Sequence, residues 1–175
     1  CLQEYASDES PRRLTQKDLE RELKDYPYHR ISVVGSGSGY TNKIACYSKF
    51  PILSARVLNY PSGYNGSVLY ELKLNEDTIT LINNHLESNK LTKADKDIYE
   101  DILKAPEKEK VKSGARLLVH KLAEASAIRA PQADTIAREI ASSRYPSVIV
   151  CGDFNDTPIS YAHRVIAQNL DDAFT

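Results

Sequence analysis

An acid and an amide stand two positions apart in the segment Gly152-Asp153-Phe154-Asn155. The apolar run before them, Val148 to Cys151, predicts a short strand buried on both faces. Asp153 and Asn155 would then lie where the strand leaves the sheet, the usual place for chemistry in layered α/β folds. Residues two apart on extended backbone point the same way, so both side chains are expected to face one cavity. Gly, Asp and Asn are also typical turn residues, and this segment alone fits an ordinary turn as well.

Two further segments bring polar side chains to predicted strand ends. Glu4 follows Leu2 and Gln3, just after what is predicted to be the end of an apolar strand. The strand predicted for residues 78–84 is followed at once by His85. A histidine can donate a hydrogen bond and titrates near working pH. The chain therefore offers a carboxylate, an imidazole and an acid–amide pair at three strand ends.

The motifs LQE, N-x-HL and GDFN occur in this order along the chain. They resemble the motifs of the endonuclease/exonuclease/phosphatase superfamily, and in particular of its bacterial members. The members of this superfamily are deoxyribonuclease-like, metal-dependent phosphoesterases. The segment Tyr47–Ile52, YSKFPI, is similar to one common in the superfamily, and the resemblance covers almost the whole chain. It implies an α/β fold, a layered sandwich of mostly antiparallel or mixed β-sheets flanked by helices. It also implies Mg²⁺-dependent hydrolysis of a phosphoester bond by in-line attack of an activated water.

The resemblance also implies a role for each candidate residue. Glu4 is the expected principal metal ligand, and His85 is expected to hydrogen-bond a non-bridging phosphate oxygen and to help protonate the leaving group. Asp153 would orient or deprotonate the attacking water. Asn155 would donate to a phosphoryl oxygen without adding a second anion beside an anionic substrate. Mg²⁺ keeps several waters and uses one or two protein carboxylates, so a single Glu suffices, with Mn²⁺ as a substitute.

The length of 175 residues fits one domain. By resemblance, residues 1–175 are the central part of the superfamily's domain. Such domains usually begin with a strand that carries a catalytic Asn and close with an Asp-His pair, and the sequence contains neither feature. We therefore expect an incomplete domain, truncated at both ends, that hydrolyses substrate poorly or not at all as isolated residues 1–175.

Hydrophobic periodicity and capping residues predict the remaining elements. Pro131 is expected to start a new helical segment, and Thr157 with Pro158 is expected to begin the last helix. Three helices are predicted. The first begins at Thr15 and ends before Pro27, the second begins at Thr92 and ends near Pro106, and the third runs from Val111 to Ser143. The predicted strands are Arg30–Val34, Lys43–Tyr47, the paired strands Val57–Tyr60 and Ser67–Leu74, and Thr78–Asn84.

Composition narrows the function classes only weakly. The net charge of −1, from 23 basic and 24 acidic residues, shows no footprint of an obligate nucleic-acid binder, although a local basic groove is compatible with it. Three cysteines without zinc-like spacing argue against a disulfide framework. The glycine run of residues 35–39 precedes a predicted strand instead of a helix, which disfavours a dinucleotide site and favours a flexible connection.

The sequence leaves several alternatives open. The phosphoester substrate could be DNA, a phosphoinositide or a phospholipid head group, because substrate choice lies in rim loops that sequence does not decode. A non-catalytic binding or scaffold module that keeps the fold is the alternative function. No obligate protein partner is evident. Similar bacterial sequences often carry hydrophobic helices ahead of the domain, so a membrane anchor outside these residues is one expectation and a cytoplasmic location is the other.

Overall fold

The chain forms two β-sheets and four helices in a computed structural model that describes residues 1–5, 15–37, 40–104 and 109–173. The helices are α1 (Gln16–Glu22), α2 (Lys93–Lys104), α3 (Glu109–Ala141) and α4 (Tyr161–Ala167). The strands are β1 (Tyr28–Gly37), β2 (Tyr40–Ser48), β3 (Ile52–Val57), β4 (Gly66–Leu74), β5 (Asp77–His85) and β6 (Val148–Asp153). This confirms the predicted α/β class.

Two sheets face each other. One is the antiparallel pair β1–β2, and the other has the order β3-β4-β5-β6. Within the larger sheet, β3, β4 and β5 form an antiparallel meander, and β6 returns parallel to β5 after the helices. Because parallel strands end at the same edge of a sheet, this connection brings the carboxyl ends of β5 and β6 together.

Side chains of the central strands alternate between the two faces of the sheet, because successive residues of a strand point to opposite sides. They therefore contribute to two different cores. Val68, Tyr70 and Leu81 face the smaller sheet. Leu69 and Ile82 face α3 and α4. The core between the sheets contains Ile44, Cys46, Ile52, Val68, Tyr70, Leu72, Ile79 and Leu81. The core under the helices contains Leu58, Leu69, Ile82, Leu86, Ala133, Ile136, Ile140, Ala162 and Ile166. The result is a layered arrangement of sheet, sheet and helices that holds β5 rigidly in the middle.

A capping box begins each of the two helices predicted to start at Thr15 and Thr92. The Thr15 hydroxyl accepts from the Asp18 amide at 3.2 Å, and the Asp18 carboxylate accepts from the Thr15 amide at 3.1 Å. Thr92 and Asp95 exchange the same pair of bonds at the start of α2. Asp95 also pairs with Lys121 of α3 at 2.7 Å, so this cap fixes α2 to its neighbour. The predicted end of α2 near Pro106 lies outside the described residues.

Two strand predictions are wrong. The strand expected at Val57–Tyr60 lies earlier, at Ile52–Val57, because β3 is a sheet edge where only Ile52 is buried and the apolar pattern is weak. β6 is not buried on both faces: Ile149 is 50% exposed, because within the described residues β6 pairs with β5 alone and forms the other edge. Of the glycine run expected to be a flexible connection, residues 35–37 belong to β1, and residues 38–39 lie outside the described part.

Two helix predictions are also wrong. Pro131 does not begin a new segment but lies inside the continuous α3. An internal proline costs a helix about 3 kcal/mol, and here the fully buried Gln132, Ala133 and Ile136 follow it directly and offset that loss. The last helix is capped by Ser160, whose hydroxyl accepts from the His163 amide at 3.1 Å. Thr157 instead closes a separate turn, in which its carbonyl accepts from the Ser160 amide.

None of the helices in the described ranges combines the length and the apolar character that a membrane crossing requires.

Candidate active site

His85 and Asp153 occupy matching positions at the ends of two neighbouring strands. The parallel register of β5 and β6 pairs Asn84 with Gly152 and His85 with Asp153. Neighbouring strands lie about 4.8 Å apart, so the ladder itself sets the spacing of these two residues. The Leu86 amide extends the pairing by donating to the Asp153 carbonyl at 2.9 Å. The backbone therefore places an imidazole beside a carboxylate.

Gly152 allows this close approach. Its φ is +135°, and a Cβ at this position would lie 2.0 Å from the carbonyl oxygen of Asn84 on the adjacent strand. No side chain fits at that distance, and the backbone conformation is one that L-residues rarely adopt. The glycine of the GDFN motif is therefore a requirement of the strand packing that brings Asp153 to His85.

Glu4 reaches the same corner from the other sheet. Leu2 exchanges two backbone hydrogen bonds with Ala45 of β2, at 2.8 and 3.0 Å, which makes residue 2 a short strand end as predicted. Gln3 then donates through its side chain to Asn83 of β5. Glu4 follows with a φ of +50°, a conformation uncommon for a residue with a side chain. Its Oε1 lies 3.7 Å from Nε2 of His85.

The orientation of His85 follows from its bonds to Asn42 of β2, which sequence reasoning missed. The Asn42 side-chain nitrogen donates to the Tyr64 carbonyl at 3.0 Å, and because a carbonyl can only accept, this bond fixes which way the amide points. The same Nδ2 lies 3.3 Å from Nδ1 of His85. Nδ1 must therefore be the acceptor, and the proton of the neutral ring is on Nε2. That N–H points toward Glu4.

Asp153 and Asn155 are joined by a tight turn. The Asn155 amide donates to Oδ1 of Asp153 at 2.8 Å, and Asn155 has a φ of +52°. The expectation that both lie on extended backbone is therefore wrong, because the Asp side chain captures the amide two residues on. The Asn155 side chain donates to the Leu86 carbonyl at 2.9 Å. Asp153 is exposed, and within the described residues its Oδ2 has no hydrogen-bond partner.

A cleft of 1410 Å³ runs along β6 and α4 and ends at Asp153 and Asn155. Glu4 and His85 are not part of its lining. We therefore place the chemistry at the junction of Glu4, His85 and Asp153, where the polar groups converge, and not in the larger cleft.

Cys151, next to this corner, is not a nucleophile candidate. Burial raises the pKa of its thiol, and its side chain packs against the core between the sheets. A thiol of raised pKa has little thiolate at neutral pH. The reactive groups at this corner are therefore Glu4, His85, Asp153 and Asn155.

The chemistry of the donors fits a hydrated magnesium ion. The Glu4 side chain is 76% exposed, so it can bind a cation that keeps most of its own water. Across the described ranges, no three His, Cys, Asp or Glu side chains group together as a metal site. A site with a single carboxylate is within the range that Mg²⁺ uses.

The sequence profile of the Endonuclease/Exonuclease/phosphatase family matches residues 1–174. The chain belongs to this family. The match confirms the resemblance carried by the LQE, N-x-HL and GDFN motifs, which the fold brings into contact: Gln3 of the first motif donates to Asn83 of the second, and His85 lies opposite Asp153 of the third. No curated protein matches the chain significantly.

Solved structures show that the chain has the fold of this family. Sphingomyelinase C from Streptomyces griseocarneus superposes with a TM-score of 0.57 at 17% identity, over 87% of this chain and 51% of that one. A double mutant of beta toxin from Staphylococcus aureus, with bound magnesium ions, superposes with a TM-score of 0.54 at 20% identity, over 89% of this chain and 53% of that one. The chain thus spans about half the length of the structures that it matches.

Proposed function

We propose that this chain carries the catalytic corner of a Mg²⁺-dependent phosphoester hydrolase. The observation that supports the proposal is the convergence of Glu4, His85 and Asp153, which lie far apart in the sequence and meet at one corner of the two sheets. Membership of the endonuclease/exonuclease/phosphatase family gives the chemistry a precedent, and a beta toxin of the same fold binds magnesium.

Glu4 would hold the cation, because its carboxylate is the exposed oxygen donor at the corner. When bound there, the cation would supply positive charge to offset the negative charge of the phosphoryl oxygens and of the leaving oxygen. Among protein groups, Nε2–H of His85 would donate to a non-bridging oxygen of the substrate. Its direction is set by Asn42 and by the buried position of the ring, which is 3% exposed.

Asp153 would align the attacking water and take its proton. Oδ1 is engaged by the Asn155 amide, which leaves Oδ2 for the water. Asn155 uses one side-chain N–H for the Leu86 carbonyl, and its second N–H would donate to a phosphoryl oxygen. Water would attack the phosphorus in line, forming a P–O bond as the ester P–O bond breaks; Asp153 would take the water's proton, and the leaving oxygen would take a proton from solvent, without a covalent intermediate on the protein.

The decisive test uses the full natural chain that contains these residues. Glu4→Gln, His85→Ala and Asp153→Asn should each lower turnover of a phosphodiester substrate by about 10²–10⁴-fold while the protein stays folded, since each removes a group that acts on the transition state. Normal turnover in Asp153→Asn would refute the proposal.

Glu76→Gln and Asp77→Asn are matched controls with the same chemical changes. Asp77 begins β5 and Glu76 precedes it in the turn. The start of β5 is about 26 Å from His85 at 3.3 Å per residue, and both variants should keep normal turnover.

The same preparation separates the open substrates and the non-catalytic alternative. Plasmid DNA, abasic DNA, phosphoinositides and sphingomyelin are each incubated with Mg²⁺, with Mn²⁺ and with chelator. Hydrolysis of one class that stops with chelator supports the enzyme and names its substrate. Magnesium binding by calorimetry without hydrolysis of any of them would favour a binding or scaffold module instead.

A further inference from the structure

Arg129 of α3 is a buried cation next to the candidate active site. Its side chain is 2% exposed, among the most buried large side chains of the described chain. Arginine is almost never fully buried unless its charge is paired and its donors are satisfied. The position of this residue in the fold therefore calls for a specific set of partners.

The partners of Arg129 come from two loops that frame the corner. Nε donates to Oδ2 of Asp156 at 2.9 Å, in the loop that follows the GDFN motif. Nη1 donates to the Glu87 carbonyl and to Oδ1 of Asn89, both at 2.9 Å, in the loop that follows β5. Nη2 lies 3.3 Å from the Ser126 hydroxyl on α3 itself. One guanidinium thus joins the loop behind His85 to the loop behind Asp153.

Asn89 carries this connection to the catalytic turn. Its Oδ1 accepts from Arg129, and its Nδ2 donates to the backbone carbonyl of Asn155 at 3.1 Å. Asn155 has the left-handed conformation and bonds Asp153 through its amide. A residue with a side chain holds this conformation only where its surroundings impose it. The bonds from Asp153 and Leu86 hold Asn155 from one side, and the bond from Asn89, itself held by Arg129, adds a support at its carbonyl.

We infer that Arg129 is a positioning residue that holds the Asp153–Asn155 turn in its working geometry, through Asn89 and Asp156. This inference rests on the proposed function. Arg129 lies behind the turn and contacts backbone and loop side chains, so it does not touch the substrate. The planar fork of the guanidinium suits this role, because it supplies donors in fixed directions to four acceptors at once.

The test compares Arg129→Met, Arg129→Lys and Asn89→Ala in the full natural chain. A misplacement of about 1 Å can lower a rate by about 10²-fold. We expect kcat per folded molecule to fall by about that factor in Arg129→Met and by about 10-fold in Asn89→Ala. KM and the magnesium affinity measured by calorimetry should change little, because Glu4 and His85 are untouched. Arg129→Lys keeps the charge but not the fork and should lie between the natural protein and Arg129→Met.

Arg56 of β3 provides a control, because its guanidinium is paired with a residue of the same helix, α3. Its guanidinium makes two bonds to Glu139 of α3, at 3.0 and 2.7 Å, far from the corner. Arg56→Met should lower stability without changing kcat. If Arg129→Met does not fold, Asn89→Ala decides the question, because it breaks the connection to Asn155 and leaves Arg129 paired with Asp156.

The outcomes separate this inference from the proposed function. Normal kcat in Asn89→Ala and Arg129→Lys, together with an inactive Glu4→Gln, would overturn the role of Arg129 and leave the proposed function standing. A loss of stability in the Arg129 variants with unchanged kcat would likewise overturn it, since a structural role alone gives that pattern. Normal turnover in Glu4→Gln would overturn the proposed function and the positioning role with it.

Discussion

Asn42 decides which nitrogen of His85 carries the proton, and replacing it with Asp should reverse the choice. The Asn42 amide donates to Nδ1 of His85 across 3.3 Å, and a bond of this kind contributes about 0.5–1.5 kcal/mol. In Asn42→Asp a carboxylate, which only accepts, faces the same nitrogen, and a charge-assisted bond from Nδ1–H contributes about 1.5–3 kcal/mol. The preferences add to a swing of about 2–4.5 kcal/mol, or roughly 30- to 2,000-fold in the tautomer ratio.

The assay is a long-range proton–nitrogen correlation spectrum of the imidazoles. In the natural protein His85 should show a protonated Nε2 and an unprotonated Nδ1, and in Asn42→Asp its Nδ1 should carry a proton. Under conditions where the ring is neutral, Nε2 then has no proton to give to the phosphate. Turnover should fall by about 10²-fold or more, the scale of losing a proton donor in the transition state. The variant also loses the bond to the Tyr64 carbonyl, which costs about 1–3 kcal/mol of stability.

Asn65→Asp is the control for this experiment. Asn65 is also buried and donates through its side chain to a backbone carbonyl, that of Leu86, at 2.7 Å. The same substitution there adds the same charge and breaks a similar bond without contacting His85. It should leave the His85 tautomer unchanged. A protonated Nδ1 in the natural protein, or the same tautomer in the natural protein and Asn42→Asp, would refute the reasoning.

Two further predictions concern stability. Gly152→Ala should lower the free energy of unfolding by about 3 kcal/mol or more, because its Cβ would lie 2.0 Å from the backbone of Asn84 at a φ of +135°. In the same denaturant titration, the control Gly63→Ala should change that free energy by less than about 0.5 kcal/mol, because a Cβ there meets nothing within 4 Å. Equal losses in the two variants would contradict the packing argument. Lys121, with help from Thr92, lowers the pKa of Asp95 from 3.8 to about 2. The folded-state pKa is the lower one, so this pair stabilises the fold above pH 3.8 and loses its effect as the pH falls toward 2. Unfolding midpoints across that range should drop more steeply for the natural protein than for Asp95→Asn, and parallel curves would show that the pair contributes nothing.

The central strands could be predicted from sequence because their burial leaves a clear pattern. The prediction for residues 67–74 differs from β4 by one residue, and that for residues 78–84 differs from β5 by one residue at each end. Both strands are paired on each side and most of their positions are buried, so their central residues carry a clear apolar pattern. β3 shows the opposite case, since an edge strand with one buried residue carries too little pattern to be placed.

The individual motifs of the site could be found from sequence, but their meeting could not be derived from local patterns. Glu4 and His85 are 81 positions apart, and only the family resemblance indicated that they lie together. The turn at Asn155 was mispredicted because periodicity assumes extended backbone, whereas a side-chain bond to Asp153 redirects the chain.

Two of the supporting residues, Asn42 and Arg129, had no signal in the sequence. Asn42 lies in a strand without a motif, and its importance depends on the ring that packs across from it. Arg129 lies on a helix whose many charges are typical of a solvated face, and only the tertiary fold shows that it is buried. Asn83 is the exception, since it is the first residue of N-x-HL and bonds Gln3 of LQE. A pairwise contact between motifs is information that a single sequence does not contain.

The separation of His85 and Asp153 is set by main-chain hydrogen bonds between β5 and β6, with no side chain as spacer. Mutations in the surrounding loops can therefore reshape what enters the corner while the distance between the two chemical groups stays the same. One pair of strand ends could in this way be combined with loops of different shape. Diversity within such a family is then expected to accumulate in the loops, and strand slippage between β5 and β6 to be the one backbone change that no loop can compensate.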